Sequence, residues 1–301
     1  MNENLPKLRL WGIAELRCWI NHIPWQYPTG RDTEACLDAH LAAGINNVAW
    51  ELGRSVLAYH SRLPEATCWG RHDRPGEHGE RPEIERMLGE RCSLRVAIRH
   101  ARANSMTLYG RMCMNRYYRP GFKRSRWANL HPEFMEIGKD GRVDPSRLCY
   151  GVPEVRRERI GILREAAEIG CDGLLLDFCR QPPFLRFHPA LVNTWREEHG
   201  TDPAGLRLAD GQQYMDWCQY RADFKTEFMR ELRRALDESP KTGHKRVPVQ
   251  VRFPNDGKNP VRFQEVFWEC ADLTDMDDGE GALHRDVRVD NIGGDTVNRW
   301  S

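Results

Sequence analysis

The segment that most limits the fold is Ile169-Gly-Cys-Asp-Gly-Leu-Leu-Leu-Asp-Phe-Cys-Arg-Gln-Pro-Pro-Phe184. Gly170 follows the apolar-periodic run from Val155 to Ile169 and reads as a helix stop. Gly173 to Leu176 is a short apolar run without alternation, the pattern of a parallel strand buried on both faces. The run ends in Asp177, and Pro182-Pro183 forbids its continuation. A carboxylate at the carboxyl end of a buried parallel strand stands where α/β barrels carry their chemistry. The plain alternative is that Asp177 caps a turn or pairs with Arg180.

The same grammar repeats along the chain. Leu8 to Ile13 reads as a first strand ending near Glu15. Asp32 or Thr33 opens a helix that Gly44 closes. Ile45 to Leu52 is a second strand with Glu51 near its carboxyl end. Tyr59 to Pro82 is a long loop rich in Arg, His, Gly and Pro. Glu83 to Asn104 is helical with a break near Gly89-Glu90, and Met106 to Met112 is a third strand. Gly121 to Val152 is a second long loop, and Pro153 sits at the first turn of the next helix. Beyond Asp177, a helix runs from Pro189 to His199 and a long amphipathic one from Gln212 to Glu238. Arg246 to Phe253 is a fifth strand. Val261 to Glu269 is a short helix, and Ala271 to Met276 a sixth strand. Gly279 to Ser301 is polar and Gly-rich, with one short alternating run at Val287-Arg-Val-Asp.

Strand and helix in alternation mean a parallel sheet with helices packed outside it. No Gly-x-Gly-x-x-Gly or Walker-type run follows a strand, so a nucleotide-binding open sheet lacks its signature. Long loops after the strands suit the active face of a barrel. The expected fold is therefore α/β of the (β/α)8 TIM-barrel type, one catalytic domain over residues 1–301. Five or six strands are visible, so the last units of the barrel are not evident in the sequence.

The 45 basic and 44 acidic residues leave a formal charge of +1, which gives no support to a nucleic-acid or membrane-surface partner. No apolar run approaches the roughly 20 residues of a membrane span. Met1 to Arg9 has no apolar signal core. Ten cysteines include no C-x-x-C pair, which argues against a zinc ribbon and for free thiols in a reducing compartment. The expected location is cytoplasmic; a signal peptide upstream of this sequence would make the protein secreted or periplasmic.

Three strings carry a family resemblance. GCDGLLLDFCRQPPF resembles the strand-four segment of glycoside hydrolases of the glycosyl-hydrolase-like family 10 type. VAWELGRSVLAYHSRLPEAT, from Val48 to Thr67, resembles their strand two and its loop. LYGRMCMNRYYRP, from Leu108 to Pro120, resembles their strand three. The likeness spans roughly residues 40 to 253, and its most specific part is the strand-four string. It implies a (β/α)8 barrel acting on glycans, with Asp177 at the position of a catalytic carboxylate.

Glycoside hydrolysis needs two carboxyl groups flanking the glycosidic oxygen. Asp177 is the first candidate, with Glu51, Asp256 and Glu15 as candidate partners at strand ends. Each has a plain alternative: Glu51 pairs with Arg54, Asp256 caps a turn, or Glu15 faces solvent. Arg111, Arg116, Arg180 and Arg252 lie near strand ends and would fork onto an anionic sugar, or else neutralise neighbouring acids. Asn115 falls on the same loop as Tyr117 and Tyr118, which with Trp50 and Trp127 offer aromatic faces. No cofactor is expected, and the expected partner is a carbohydrate. Two rival readings stand. One is a metal-assisted lyase or hydrolase using Glu51, Asp177 and His131 or His188. The other is a glycan-binding protein with a degenerate site. His60, His72, Asp73 and His78 lack ligand spacing and read as solvated loop residues.

Overall fold

The structure, a computed structural model, describes residues 10–16, 19, 29–71, 82–114, 124–178, 185–242, 246–254 and 295–300. Its frame is five parallel strands: β1 (Trp11–Ala14), β2 (Asn47–Gly53), β5 (Thr107–Cys113), β8 (Gly173–Asp177) and β9 (Val249–Pro254). They lie side by side in chain order, β1 on β2, β2 on β5, β5 on β8 and β8 on β9. The order never reverses, so the described sheet has no switch point of the kind that marks a doubly wound sheet. Right-handed crossovers stepping always in one direction lay their helices on one side, as in a barrel. Among the described residues the sheet is not closed. Its last member, β10 (Asp295–Trp300), pairs antiparallel with β9. The alternating run Val287-Arg-Val-Asp lies outside the described residues. The expected helix at Val261 to Glu269 and strand at Ala271 to Met276 lie outside the described residues.

The connections are α1 (Asp32–Ala42) before β2, α2 (Pro82–Glu90) and α3 (Ser93–Ala103) before β5, and α5 (Pro153–Ile169) before β8. Helices α6 (Pro189–His199) and α7 (Gln212–Asp237) precede β9. Pro153 starts α5, and Gly170, at φ +119°, ends it in the left-handed conformation that glycine adopts without a Cβ penalty. Neither Thr33 nor Asp32 caps α1: Arg31 holds the cap position, and the Asp32 carboxylate instead accepts the Thr29 amide.

Both long loops hold more structure than their composition suggests. The first contains β4 (Thr67–Cys68), which pairs parallel with β3 (Val56–Leu57), a short strand just before the loop that itself pairs antiparallel with β2. The second contains α4 (Arg126–Leu130) and a hairpin of β6 (Met135–Ile137) and β7 (Val143–Leu148). Pairs this short carry too little periodicity to be read locally and depend on what they pack against. The first loop is anchored through Glu165 of α5, which accepts from Tyr59 Oη at 2.9 Å, Ser61 Oγ at 2.5 Å and the Arg62 amide at 2.6 Å.

Side chains alternate across the sheet. Val48, Trp50, Leu52, Leu108, Met112, Leu174, Leu176, Val249 and Val251 belong to one apolar core. Each large aliphatic chain among them contributes roughly 1.5–3 kcal/mol by leaving water. Glu51, Tyr109, Arg111, Leu175, Asp177 and Gln250 alternate with them and therefore face the other way. Two glycines make room in this packing. A Cβ on Gly173 would meet the Tyr109 ring at 2.5 Å, and one on Gly110 would meet Leu52 and Cys171.

Candidate active site

The polar face converges on one cation. Arg111 stands in register with Glu51 across the β2–β5 ladder, and its side chain is 2% exposed. Its Nε donates to Asp177 Oδ2 at 2.7 Å, and its Nη2 donates to the same oxygen. Its Nη1 donates to Glu51 Oε2 at 2.6 Å and to Glu15 Oε1 at 2.8 Å. The planar fork of a guanidinium can serve three acceptors at once, which an ammonium on a flexible stem cannot do with fixed geometry. Arg54 Nε lies 3.9 Å from Glu51 Oε1, a second and weaker neutralising contact.

The strand ladder makes this arrangement. Glu15 follows the last residue of β1, which pairs with Trp50, so it arrives at the level of Glu51. Asp177, the last residue of β8, pairs with Cys113, two residues beyond Arg111 on the same face. All three carboxylates thus come from the carboxyl ends of parallel strands. Burial pulls the Arg111 guanidinium toward neutrality, and Glu51, Asp177 and Glu15 together overcome it and hold the cation well above the ordinary arginine value. Arg54 is likewise raised against its burial, by the carboxylates of Glu51 and Glu15. Burial pushes the Cys113 thiol up, opposed by Arg54, so it stays protonated beside these acids.

Exposure separates the three acids. The Asp177 side chain is 0% exposed, that of Glu51 2% and that of Glu15 19%. Behind Asp177, Phe178 is buried with Lys225 Nζ 5.1 Å from its ring centre, and Arg221 Nη1 donates to the Leu185 carbonyl at 3.1 Å. Both cations come from the inner face of α7. No sequence pattern flagged them, because buried Lys and Arg look like surface residues in a long charged helix.

Several expected roles are overturned by where the side chains lie. Of the two readings of Arg111, forking onto an anionic sugar or neutralising neighbouring acids, its buried contacts to Asp177, Glu51 and Glu15 are those of the second. Trp50 was expected as a sugar-stacking face; it is 1% exposed in the helix-side core, because it precedes Glu51 and alternation turns it the other way. Trp127 is also buried, against His131 and Phe134. Glu51 does meet Arg54, but its shorter contact is to Arg111. Arg180, Asn115, Arg116, Tyr117, Tyr118 and Asp256 lie outside the described residues, as does the side chain of Arg252.

The histidines offered for a metal are engaged by protein groups instead. His188 Nε2 lies 2.8 Å from the Glu133 carbonyl, and its Nδ1 accepts from the Ala190 amide at the start of α6. His131 stacks on Phe134 and contacts Glu133. Among the described residues no three of His, Cys, Asp and Glu are grouped to hold a metal ion. His60 Nε2 lies 2.6 Å from the Leu88 carbonyl, a packing role in place of a solvated one.

One titratable group escaped the sequence reading. Glu136 is buried in the β6–β7 hairpin, within a stretch read as loop. Burial pushes its carboxyl up to about 7, against the pull of the Cys149 thiol, Arg186 and Arg147. The alternation Met135-Glu136-Ile137 was its only local signal. No helix among the described residues is long and apolar enough to cross a membrane.

No family model matches the chain, and no curated protein matches it. The resemblance to the family-10-like type therefore rests on the three quoted strings alone. Solved structures resemble the chain path at low score. A β-galactosidase from Rahnella sp. R3 is 13% identical with a TM-score of 0.48, covering 82% of this chain and 36% of that one. An α-galactosidase from Lactobacillus brevis is 11% identical with a TM-score of 0.47, covering 88% and 29%. The noncanonic maltogenic α-amylase AmyB from Thermotoga neapolitana is 17% identical with a TM-score of 0.36, covering 64% and 43%. This chain spans less than half the length of each of the three.

Proposed function

We propose that the chain is a glycoside hydrolase domain of the (β/α)-barrel type, cleaving a glycosidic bond with carboxyl groups from the set Glu15, Glu51 and Asp177. The observation that carries the reading is the convergence of these three acids on Arg111 at the carboxyl ends of adjacent parallel strands. Concentrating carboxyl groups in one place is what lets acid and base roles separate. Acid–base cleavage of an acetal asks for such a pair and for no metal or organic cofactor. The carbohydrate is the partner. Arg180, Asn115, Arg116, Tyr117, Tyr118 and Arg252 are proposed to contact it, and Asp256 is kept as a further acid, all from their places after strand ends in the sequence.

The test is a screen of the purified chain against α- and β-linked chromogenic glycosides and a panel of plant, algal and bacterial polysaccharides. Turnover that Glu51→Gln lowers by at least a hundredfold supports the proposal. No turnover of any substrate sinks it.

A second reading, glycan binding without cleavage, is favoured by one observation: Asp177 is wholly buried and locked to Arg111. It predicts sugar affinity by calorimetry that survives Glu51→Gln, with no turnover in the wild type.

A further inference from the structure

Accessibility and spacing divide the three acids more sharply than their sequence positions do. Asp177 gives one oxygen to two N–H groups of Arg111 and has no exposed surface. Glu15 and Glu51 share a single donor, Arg111 Nη1, and Glu15 keeps the largest exposure of the three. Two oxygens 2.8 Å and 2.6 Å from one nitrogen are no farther apart than the sum of those distances. That ceiling lies below the roughly 6.5–9.5 Å which inverting glycosidases leave for a water, and is compatible with the roughly 5–5.5 Å of retaining ones.

We propose that Glu15 and Glu51 are the reacting pair, that Asp177 is a positioning residue acting through Arg111, and that cleavage retains anomeric configuration. This deepens the reading above and rests on it. Glu51 is the nucleophile: it is buried, and Arg111 and Arg54 both face it as cations. Its oxygen bonds to the anomeric carbon as the bond from that carbon to the leaving oxygen breaks. Glu15 is the acid and base: it alone of the three has substantial contact with solvent and can exchange protons with it. Its carboxyl proton passes to the leaving oxygen. In the second half, Glu15 takes a proton from water, the water oxygen bonds to the anomeric carbon, and the Glu51 carboxylate leaves. Asp177 fixes the guanidinium from the far side, so that Nη1 stays aimed at the pair.

The deciding experiment needs no variant. Proton NMR of the first product from wild-type enzyme, on whichever glycoside the screen finds, is expected to show the anomer of the substrate. Inversion overturns the pairing while leaving the hydrolase reading intact, whereas absence of any turnover overturns both. A second measurement tests the roles. Glu15→Gln is expected to lose at least a hundredfold in kcat on unactivated glycosides and under tenfold on dinitrophenyl glycosides, whose leaving group needs no proton. Equal losses on both substrates overturn the assignment of Glu15. Glu51→Ala is expected to regain turnover with azide, giving a glycosyl azide of inverted configuration, and Asp177→Ala is not. Azide rescue of Asp177→Ala alone would restore Asp177 as nucleophile and overturn its positioning role.

Discussion

Glu51 and Arg111 are direct partners across the β2–β5 ladder, and the same Arg111 reaches past that ladder to Asp177 at the end of β8. One buried cation thereby ties three strands together at their carboxyl ends. Removing it leaves three carboxylates facing one another with no shared donor, and breaking a buried ion pair by deleting one partner is far costlier than deleting both.

Arg111→Met is therefore expected to lower stability by about 3–5 kcal/mol. Urea denaturation followed by tryptophan fluorescence measures it. Arg111→Lys should recover only part of the loss, since an ammonium cannot reproduce the fork. A lysine variant as stable as wild type would contradict the three-way geometry.

Glu136 sets a pH dependence of opposite sign to the usual carboxylate. Its folded value is raised from the ordinary 4.5 to about 7, chiefly by burial. Below the unfolded value both states hold the proton. Between the two values only the folded state does, so the unfolded state binds fewer protons and stability falls as pH rises. Above the folded value both are ionised and the loss is complete, at about 3 kcal/mol. Denaturation midpoints at pH 5 and pH 8 should differ in that direction, and Glu136→Gln should shrink the difference.

Glu165 holds the β3–β4 loop with three hydrogen bonds. Glu165→Ala would leave the buried Tyr59 hydroxyl only its long 3.4 Å contact to the Ile162 carbonyl, at about 1–3 kcal/mol for such a group. Amide exchange in residues 59–66 should rise more than in α5 itself. Uniform acceleration across both would mean global destabilisation instead.

Gly173→Ala should cost about 1–3 kcal/mol, because the added Cβ meets the Tyr109 ring. Pairing it with Tyr109→Leu should return part of that cost. A double-mutant cycle with no coupling would disprove the contact.

Seven cysteines among the described residues are free, and all but Cys92 are buried. Burial pushes Cys36 and Cys171 up to about 12, so neither is a thiolate near neutral pH. Thiol reagents should label them only after unfolding. Fast labelling of Cys171 in the native protein would place it at the surface.

The five parallel strands were legible because a buried strand is a local signal: a short apolar run bounded by a glycine stop and a polar tip. The acids at the tips were legible for the same reason. The hairpin holding Glu136 was not, because three-residue strands have no period to read. Trp50 was misplaced because a continuous apolar strand does not announce which of its residues face the helices.

What the chain's own order of residues determined was the alternation of strand and helix, the parallel sheet that follows from it, and the delivery of Glu15, Glu51 and Asp177 to strand ends. What only the tertiary structure decided was that these acids meet on Arg111, which lies 96, 60 and 66 positions from them. Periodicity within a strand is set by its own pleat, whereas convergence depends on the register between strands. That register is chosen by the packing of the whole sheet against its helices.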